Sequence, residues 1–391
     1  MMCMCMGEQR LPVSMASSTH FPSFPPPTMH QSYGGHYIVT GARAILDSNA
    51  AGNPRLNLAG FAVGNAWTVA EIDNTGCVEM WLGHGLISQE THDGLLASCN
   101  MSDIGPLSVT FQAHLHNEEG EMVDLAAAGY GVLGWRGLPG AASPGAPSCD
   151  DWQNEAFGSL GSIDIYDEFV ATCAATPEGA GAAAHGGSFA ALRAAARLRG
   201  SLPPARAAPP LVARPLAAPP ADSNVAAGCA ADYDPCAENK IKAYLNRPEV
   251  QAALHVVPEL IPGGSWVGCS SIISYSRFDL LTSMLPVYRD VLTRLPAGRF
   301  LVFSGDVDLI VPFTGTRVWI DALDLVTTSK LHPWIASAGD VGGWTRTLVA
   351  PWAQNATLVF ASVRNAGHMV PQTQAARGLD LLTTFLSGSP F

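Results

Sequence analysis

The sequence predicts an α/β fold, a doubly wound sheet whose functional residues stand just past the carboxyl ends of its strands. Phe300-Leu301-Val302-Phe303 is a short apolar run broken almost at once by Gly305-Asp306-Val307-Asp308. Leu358 to Val363 is a second, broken by Asn365-Ala366-Gly367-His368. Apolar runs of this length, bounded by turn residues, fit strands buried on both faces. A third observation is the helical spacing of apolar residues in the segments around them, as an alternating α/β chain requires.

Taken in order, residues 1–30 read as a leader outside the fold. Phe24-Pro25-Pro26-Pro27-Thr28 cannot be a central strand, because proline donates no ladder hydrogen bond. No apolar strand is expected before Ser32. His36 to Asn49 reads as a helix with Ile38, Ala42, Ile45 and Leu46 on one face, closed by Gly52-Asn53-Pro54. Leu56 to Val63 reads as a buried strand, and residues 78–98, 239–255 and 276–294 as helices. Residues 174–228 are rich in Ala, Pro, Gly and Arg, with five arginines and no acidic residue from Gly179 to Ala221. Such a stretch lacks patterned apolar surface and is expected to be a disordered linker. After the second strand, a closing helix carries Leu379, Leu382, Phe385 and Leu386 and stops at Gly388. The expected organisation is a core of residues 31–75 and 290–391, with a cap of residues 76–173 and 229–289.

With 391 residues, 48% hydrophobic and 14% charged, the chain can bury a large core in one or two domains. A net charge of −12 makes nucleic acid and anionic membrane poor partners. No window holds the roughly 18 uninterrupted apolar residues of a membrane span. Met1 to Arg10 contains no apolar signal-peptide core, which taken literally keeps the chain in the cytosol. Nine cysteines and two sequons, Asn100-Met101-Ser102 and Asn355-Ala356-Thr357, point instead to a secreted or vacuolar body. We give the body more weight than the first ten residues.

Ser32, Asp308 and His368 occur in the order nucleophile, acid, base used by one large class of serine hydrolases. A serine is inert until a histidine takes its proton and an acid orients that histidine. His368 follows an Ala-Gly pair directly after a strand, where a side chain projects into a cleft. Asp306 and Asp308 allow two readings, a divalent-cation pair or an orienting acid. No third ligand cluster lies nearby, so neither metal nor cofactor is expected. Gly34 supplies the small residue a nucleophile turn needs two positions after the serine, whereas His30 stands where a second is needed. On local sequence alone Ser32 reads as an ordinary loop serine.

Gln31-Ser32-Tyr33-Gly34-Gly35-His36-Tyr37 resembles the motif G-E-S-Y-A/G-G-H-Y of the serine carboxypeptidases. These are α/β-hydrolases that remove C-terminal residues from peptides at acidic pH. Gly64-Asn65-Ala66-Trp67-Thr68 resembles the family's G-N-P-W-T turn, and Ile72-Asp73-Asn74-Thr75-Gly76 is similar to the segment after it. Tyr233-Asp234-Pro235-Cys236, Tyr244 to Gln251 and Trp266 to Ser270 resemble its cap region. Ser304 to Pro312, Val341-Gly342-Gly343-Trp344 and Val363 to Pro371 complete a match over residues 30–391 outside the linker.

The resemblance implies an α/β-hydrolase fold with a helical cap, and a peptide or protein substrate. It makes Ser32 nucleophile, His368 base, Asp308 orienter and Asp306 structural. The Tyr33 N–H becomes an oxyanion donor, with Gln31 and Met369 in substrate binding. Cys99–Cys149 and Cys173–Cys236 become bridges, Cys269 an orphan, and Cys3, Cys5, Cys77 and Cys229 cysteines with no assigned partner. The family's N-terminal strands and N-G-G-P-G loop have no counterpart, which predicts a sheet short of those strands and an oxyanion hole short of one donor. Two further readings stay open: an inactive carboxypeptidase-like fragment, and an acyltransferase of the same fold. Oligomeric state and residue preference are not legible.

Overall fold

The computed structural model describes residues 29–105, 115–116, 122–123, 147–161, 163–170, 233–234, 237–257, 265–267, 276–354 and 356–391. They form β1 (Met29–Ser32), α1 (Gly34–Ala50), β2 (Gly60–Ala66), α2 (Ala70–Gly83), α3 (Gln89–Ser98), β3 (Leu115–His116), β4 (Met122–Val123) and α4 (Cys149–Leu160). There follow α5 (Ala237–Leu245), α6 (Pro248–Ala253), α7 (Arg277–Leu281), α8 (Leu285–Arg294), β5 (Arg299–Gly305) and α9 (Phe313–Asp321). The chain closes with β6 (Val326–Ile335), β7 (Val341–Ala350), β8 (Ala356–Val363), α10 (Val370–Thr373) and α11 (Ala375–Ser387). The expected leader up to residue 28, the linker 174–228, Cys3, Cys5, Cys173, Cys229, Cys236, Cys269 and Asn355 lie outside the described residues.

The main sheet runs β1-β2-β5-β8-β7-β6, parallel from β1 to β8 and antiparallel from β8 to β6. Side chains alternate between its faces, as strand geometry requires. Phe61, Val63, Phe300, Val302, Leu358 and Phe360 enter one cluster with α1, α8 and α9. Ala62, Leu301, Phe303, Val359, Ala361 and Val363 enter another with Leu381 and Phe385 of α11. Burial on both faces explains why β5 and β8 read as unbroken apolar runs. A third cluster ties α2, α3 and α4 to Leu309, Ile310 and Val311 beyond β5.

Several boundaries differ from the sequence reading, each for a local reason. A strand does precede Ser32: β1 pairs in parallel with β2, Met29 to Gln31 facing Ala62 to Gly64. β2 begins at Gly60 and not at Leu56, because Leu56 is held by Asn49, which accepts its N–H at 2.9 Å and donates to its carbonyl at 2.8 Å. The helix expected over 78–98 is two helices, broken at Gly85 with φ 71° and restarted by the Ser88 cap. Pro248 and Pro286, in the first turns of α6 and α8, split the other two expected helices. In α11 the buried residues are Gly378, Leu381 and Phe385, while Leu379 and Leu386 are exposed. The hairpin β6–β7 was not expected as strands. Cys99 and Cys149 form the expected bridge, joining the end of α3 to the start of α4. Cys77 is a buried free thiol.

Candidate active site

β5 and β8 are parallel neighbours, so the turns leaving their carboxyl ends lie side by side. Gly305 ends β5, and a Cβ there would sit 2.1 Å from the Ala366 carbonyl oxygen and 2.2 Å from that of Gly367. The turns therefore meet backbone to backbone. The Val307 N–H donates to the Ala366 carbonyl at 3.1 Å. Asp306 accepts the Asn365 N–H at 2.6 Å, fastening one turn to the other. Burial raises the Asp306 carboxyl to about 6.

This packing brings Asp308 and His368, sixty residues apart in sequence, into contact. Asp308 Oδ2 lies 2.7 Å from His368 Nδ1, with both side chains buried. The same oxygen accepts Asn65 Nδ2 at 2.7 Å, while Oδ1 accepts the Ile310 N–H at 2.9 Å. A carboxylate only accepts, so Nδ1 carries the imidazole hydrogen and Nε2 is left as the basic nitrogen. Asn65 was not singled out from sequence as a site residue. It stands at the end of β2 with φ 40°, fully buried, and its Oδ1 accepts the Gly305 N–H at 3.1 Å. Its place next to a strand terminus was the available signal.

Ser32 ends β1, two strands from β5, with φ 60° and a register shift against β2. A non-glycine residue in that region is strained, and such a strand-to-helix turn is what lifts a nucleophile out of the backbone. Gly35 allows it: a Cβ there would meet the Trp67 carbonyl oxygen at 2.6 Å. Among the described residues no hydrogen bond joins the Ser32 hydroxyl to His368. Ser32, Asp308 and His368 thus lie at the carboxyl ends of strands of one sheet, and of the three only Asp308 and His368 are hydrogen-bonded to each other.

Tyr33 caps α1, where backbone N–H groups carry partial positive charge. Its ring stacks on His36 at 4.4 Å, and burial lowers the His36 imidazole to about 4. Gln31 Nε2 is buried without a partner, and Met369 is half-buried at the cap of α10. Asn100 accepts the Ser102 hydroxyl at 2.8 Å, folding its sequon into a tight turn. Among the described residues no group of three His, Cys, Asp or Glu is placed to hold a metal ion.

Sequence reasoning also missed residues 163–170. The His368 N–H donates to the Tyr166 carbonyl at 2.6 Å, the Leu309 N–H to Ile165 at 3.1 Å, and the Glu168 N–H to Val307 at 3.1 Å. These bonds are all backbone, so no side-chain pattern announces them.

The model of the family described as serine carboxypeptidase matches residues 27–388. The chain belongs to the serine carboxypeptidase family. It is 31% identical over 362 residues to serine carboxypeptidase-like 25 of Arabidopsis thaliana, covering 92% of this chain and 60% of that one. Serine carboxypeptidase II-1 of Hordeum vulgare is 30% identical over 362 residues, with 92% of this chain and 85% of the relative covered. A crystal structure of a prohormone-processing carboxypeptidase from Saccharomyces cerevisiae is similar at TM-score 0.49 and 15% identity, covering 91% of this chain and 61% of that one. The chain spans about 60% of the length of several of the curated relatives it matches. Family membership and the mixed sheet with flanking helices agree with the expected α/β-hydrolase fold.

Proposed function

We propose that this serine carboxypeptidase family member releases C-terminal amino acids from peptides through an acyl-enzyme. The reading is carried by the buried Asp308–His368 pair, which holds the imidazole with Nε2 basic. In it, His368 Nε2 takes the Ser32 hydroxyl proton as Oγ attacks the scissile carbonyl carbon. The oxyanion forms near the Tyr33 N–H at the start of α1. His368 then returns the proton to the departing amino group, and the C–N bond breaks. Water, losing a proton to the same nitrogen, attacks the ester; Ser32 recovers its proton as the ester C–O bond breaks.

A fluorophosphonate probe tests this reading. The expected result is a covalent adduct on Ser32 in the folded chain, absent from Ser32→Ala. Folded protein that takes up no probe would favour the inactive reading instead.

Gln31 adds a pH expectation. It stands where the family motif carries a glutamate, which binds the substrate's terminal carboxylate only when protonated. An amide donates a hydrogen bond at every pH. Gln31→Glu is therefore expected to raise KM progressively above pH 5 while wild-type KM stays flat, and superimposable KM profiles would count against the assignment. Under the same reading Met369 also lines the substrate site, Asn100 is glycosylated, and the protein is secreted or vacuolar.

A further inference from the structure

Residues 163–170 run across both turns that carry the acid and the base. Three backbone hydrogen bonds join Ile165, Tyr166 and Glu168 to Leu309, His368 and Val307. The Tyr166 ring lies 5.3 Å from the His368 ring. Gly367 closes against the same segment: a Cβ there would meet the Tyr166 carbonyl oxygen at 2.3 Å, Asp167 Cβ at 2.5 Å and Asp167 Oδ2 at 2.6 Å. On its outer side, Glu168 Oε2 pairs with His84 Nδ1 at 2.5 Å, anchoring the segment to the cap of α2.

Asp167 is out of place for a residue with only a packing role. It is 4% exposed; Oδ1 accepts the Phe169 N–H at 3.1 Å, and Oδ2, turned toward Gly367, has no partner. A buried carboxylate oxygen without a donor is costly unless a positive charge develops nearby. The Gly367 backbone that Asp167 faces leads directly into His368, which carries a positive charge whenever it holds the Ser32 proton in the proposed mechanism.

We propose that Asp167 is a positioning residue for His368: its side chain braces the Gly367-His368 backbone, and its carboxyl group supports the proton-bearing imidazole beside Asp308. The groups that share this field are Asp164 on the same segment, Asp308 beyond β5 and His368 beyond β8, with the Glu168–His84 pair outside. Burial first, and then Asp164 and Asp308, raise the Asp167 carboxyl to about 7. The inference rests on His368 being the catalytic base, but its test does not depend on turnover.

The test is an NMR titration of the full chain carrying ¹³C-labelled histidine, with the His368 signal assigned by its loss in His368→Gln. Asp167→Asn keeps the shape and removes the ionisation. The expected result is a His368 midpoint lower by about half a unit or more, the direction in which loss of a neighbouring negative charge moves a histidine. Thermal stability should be unchanged or higher. A His368 titration superimposable on wild type would overturn the proposal. Should Asp167→Asn fail to fold, ¹³C-aspartate-labelled His368→Gln protein reads the same coupling from the other side. The Asp167 carboxyl carbon must then titrate at higher pH than in wild type, and an unmoved midpoint overturns the proposal. Coupling in a protein whose Ser32 refuses the fluorophosphonate would sink the peptidase reading alone, whereas a labelled Ser32 with no coupling would sink only this one.

Discussion

Asp308→Asn is expected to lower kcat/KM by about 10³–10⁴, as loss of the orienting acid does in serine hydrolases generally. The structure gives the reason. Oδ1 accepts backbone N–H groups from Ile310 and Val311 at 2.9 and 3.4 Å, so an amide at this position is held with its oxygen there. Its NH₂ then takes the place of Oδ2, facing His368 Nδ1 and the Asn65 amide, both of which donate to Oδ2 in the native site. The imidazole can accept from that NH₂ only by moving its hydrogen to Nε2. Nε2 is then a donor, unable to take the Ser32 proton. Single-turnover acylation of wild type and Asp308→Asn by an ester substrate measures the effect. A loss below tenfold would show that Asp308 does not set the tautomer.

The second large effect concerns stability against pH. Burial raises the Asp73 carboxyl to about 7, Asp167 to about 7 and Asp306 to about 6. The folded state therefore holds these three protons more tightly than the unfolded chain, whose carboxyls titrate near 4. Their contribution is fully present below about pH 4 and is lost as pH rises toward 6–7. His36, lowered to about 4, acts oppositely: its contribution is lost as pH falls from about 6.5 to 4. Three carboxyls outweigh one imidazole, so unfolding free energy should rise on acidification from pH 7.5 to about 5, by an amount on the order of several kcal/mol. Urea denaturation at half-unit steps checks this, and a maximum above pH 7 would contradict it. Asp73→Asn should flatten the curve. Oδ2 of Asp73 accepts the Thr68 and Val69 N–H groups at 2.7 and 2.8 Å while Oδ1 has no partner, so an amide fits without the ionisation cost.

What the sequence disclosed follows from how local each signal is. The Asp308 and His368 turns were legible because each sits directly after a strand buried on both faces, and the apolar run and the break are contiguous. Their meeting also follows from the parallel pairing of β5 and β8, which a doubly wound sheet favours. Asn65 was obscure because its partner is 243 residues away, and nothing in Gly64-Asn65-Ala66 marks a buried hydrogen bond to a carboxylate. β1 was obscure because a four-residue strand of Met, His, Gln and Ser draws its register from the β2 backbone, not from its own apolar pattern. The β6–β7 hairpin escaped notice for a similar reason. β6 is a mostly solvated edge strand carrying Pro333, so the alternation that marks a half-buried strand is absent.

The order of the sheet also divides the site by local stability. β5 and β8 each have a hydrogen-bonded neighbour on both sides, whereas β1 has one, β2, among the described residues. Opening β5 or β8 means breaking the centre of the sheet, at close to the full cost of unfolding. Opening β1 breaks one ladder of four residues, and the strain stored at Ser32 is released in the process. Under the proposed mechanism the acid and base thus stand on central strands, and the serine hangs on a four-residue strand that opens at lower cost. On warming, Ser32 would leave its place while Asp308 and His368 were still paired, so under that mechanism loss of reactivity would precede loss of the fold.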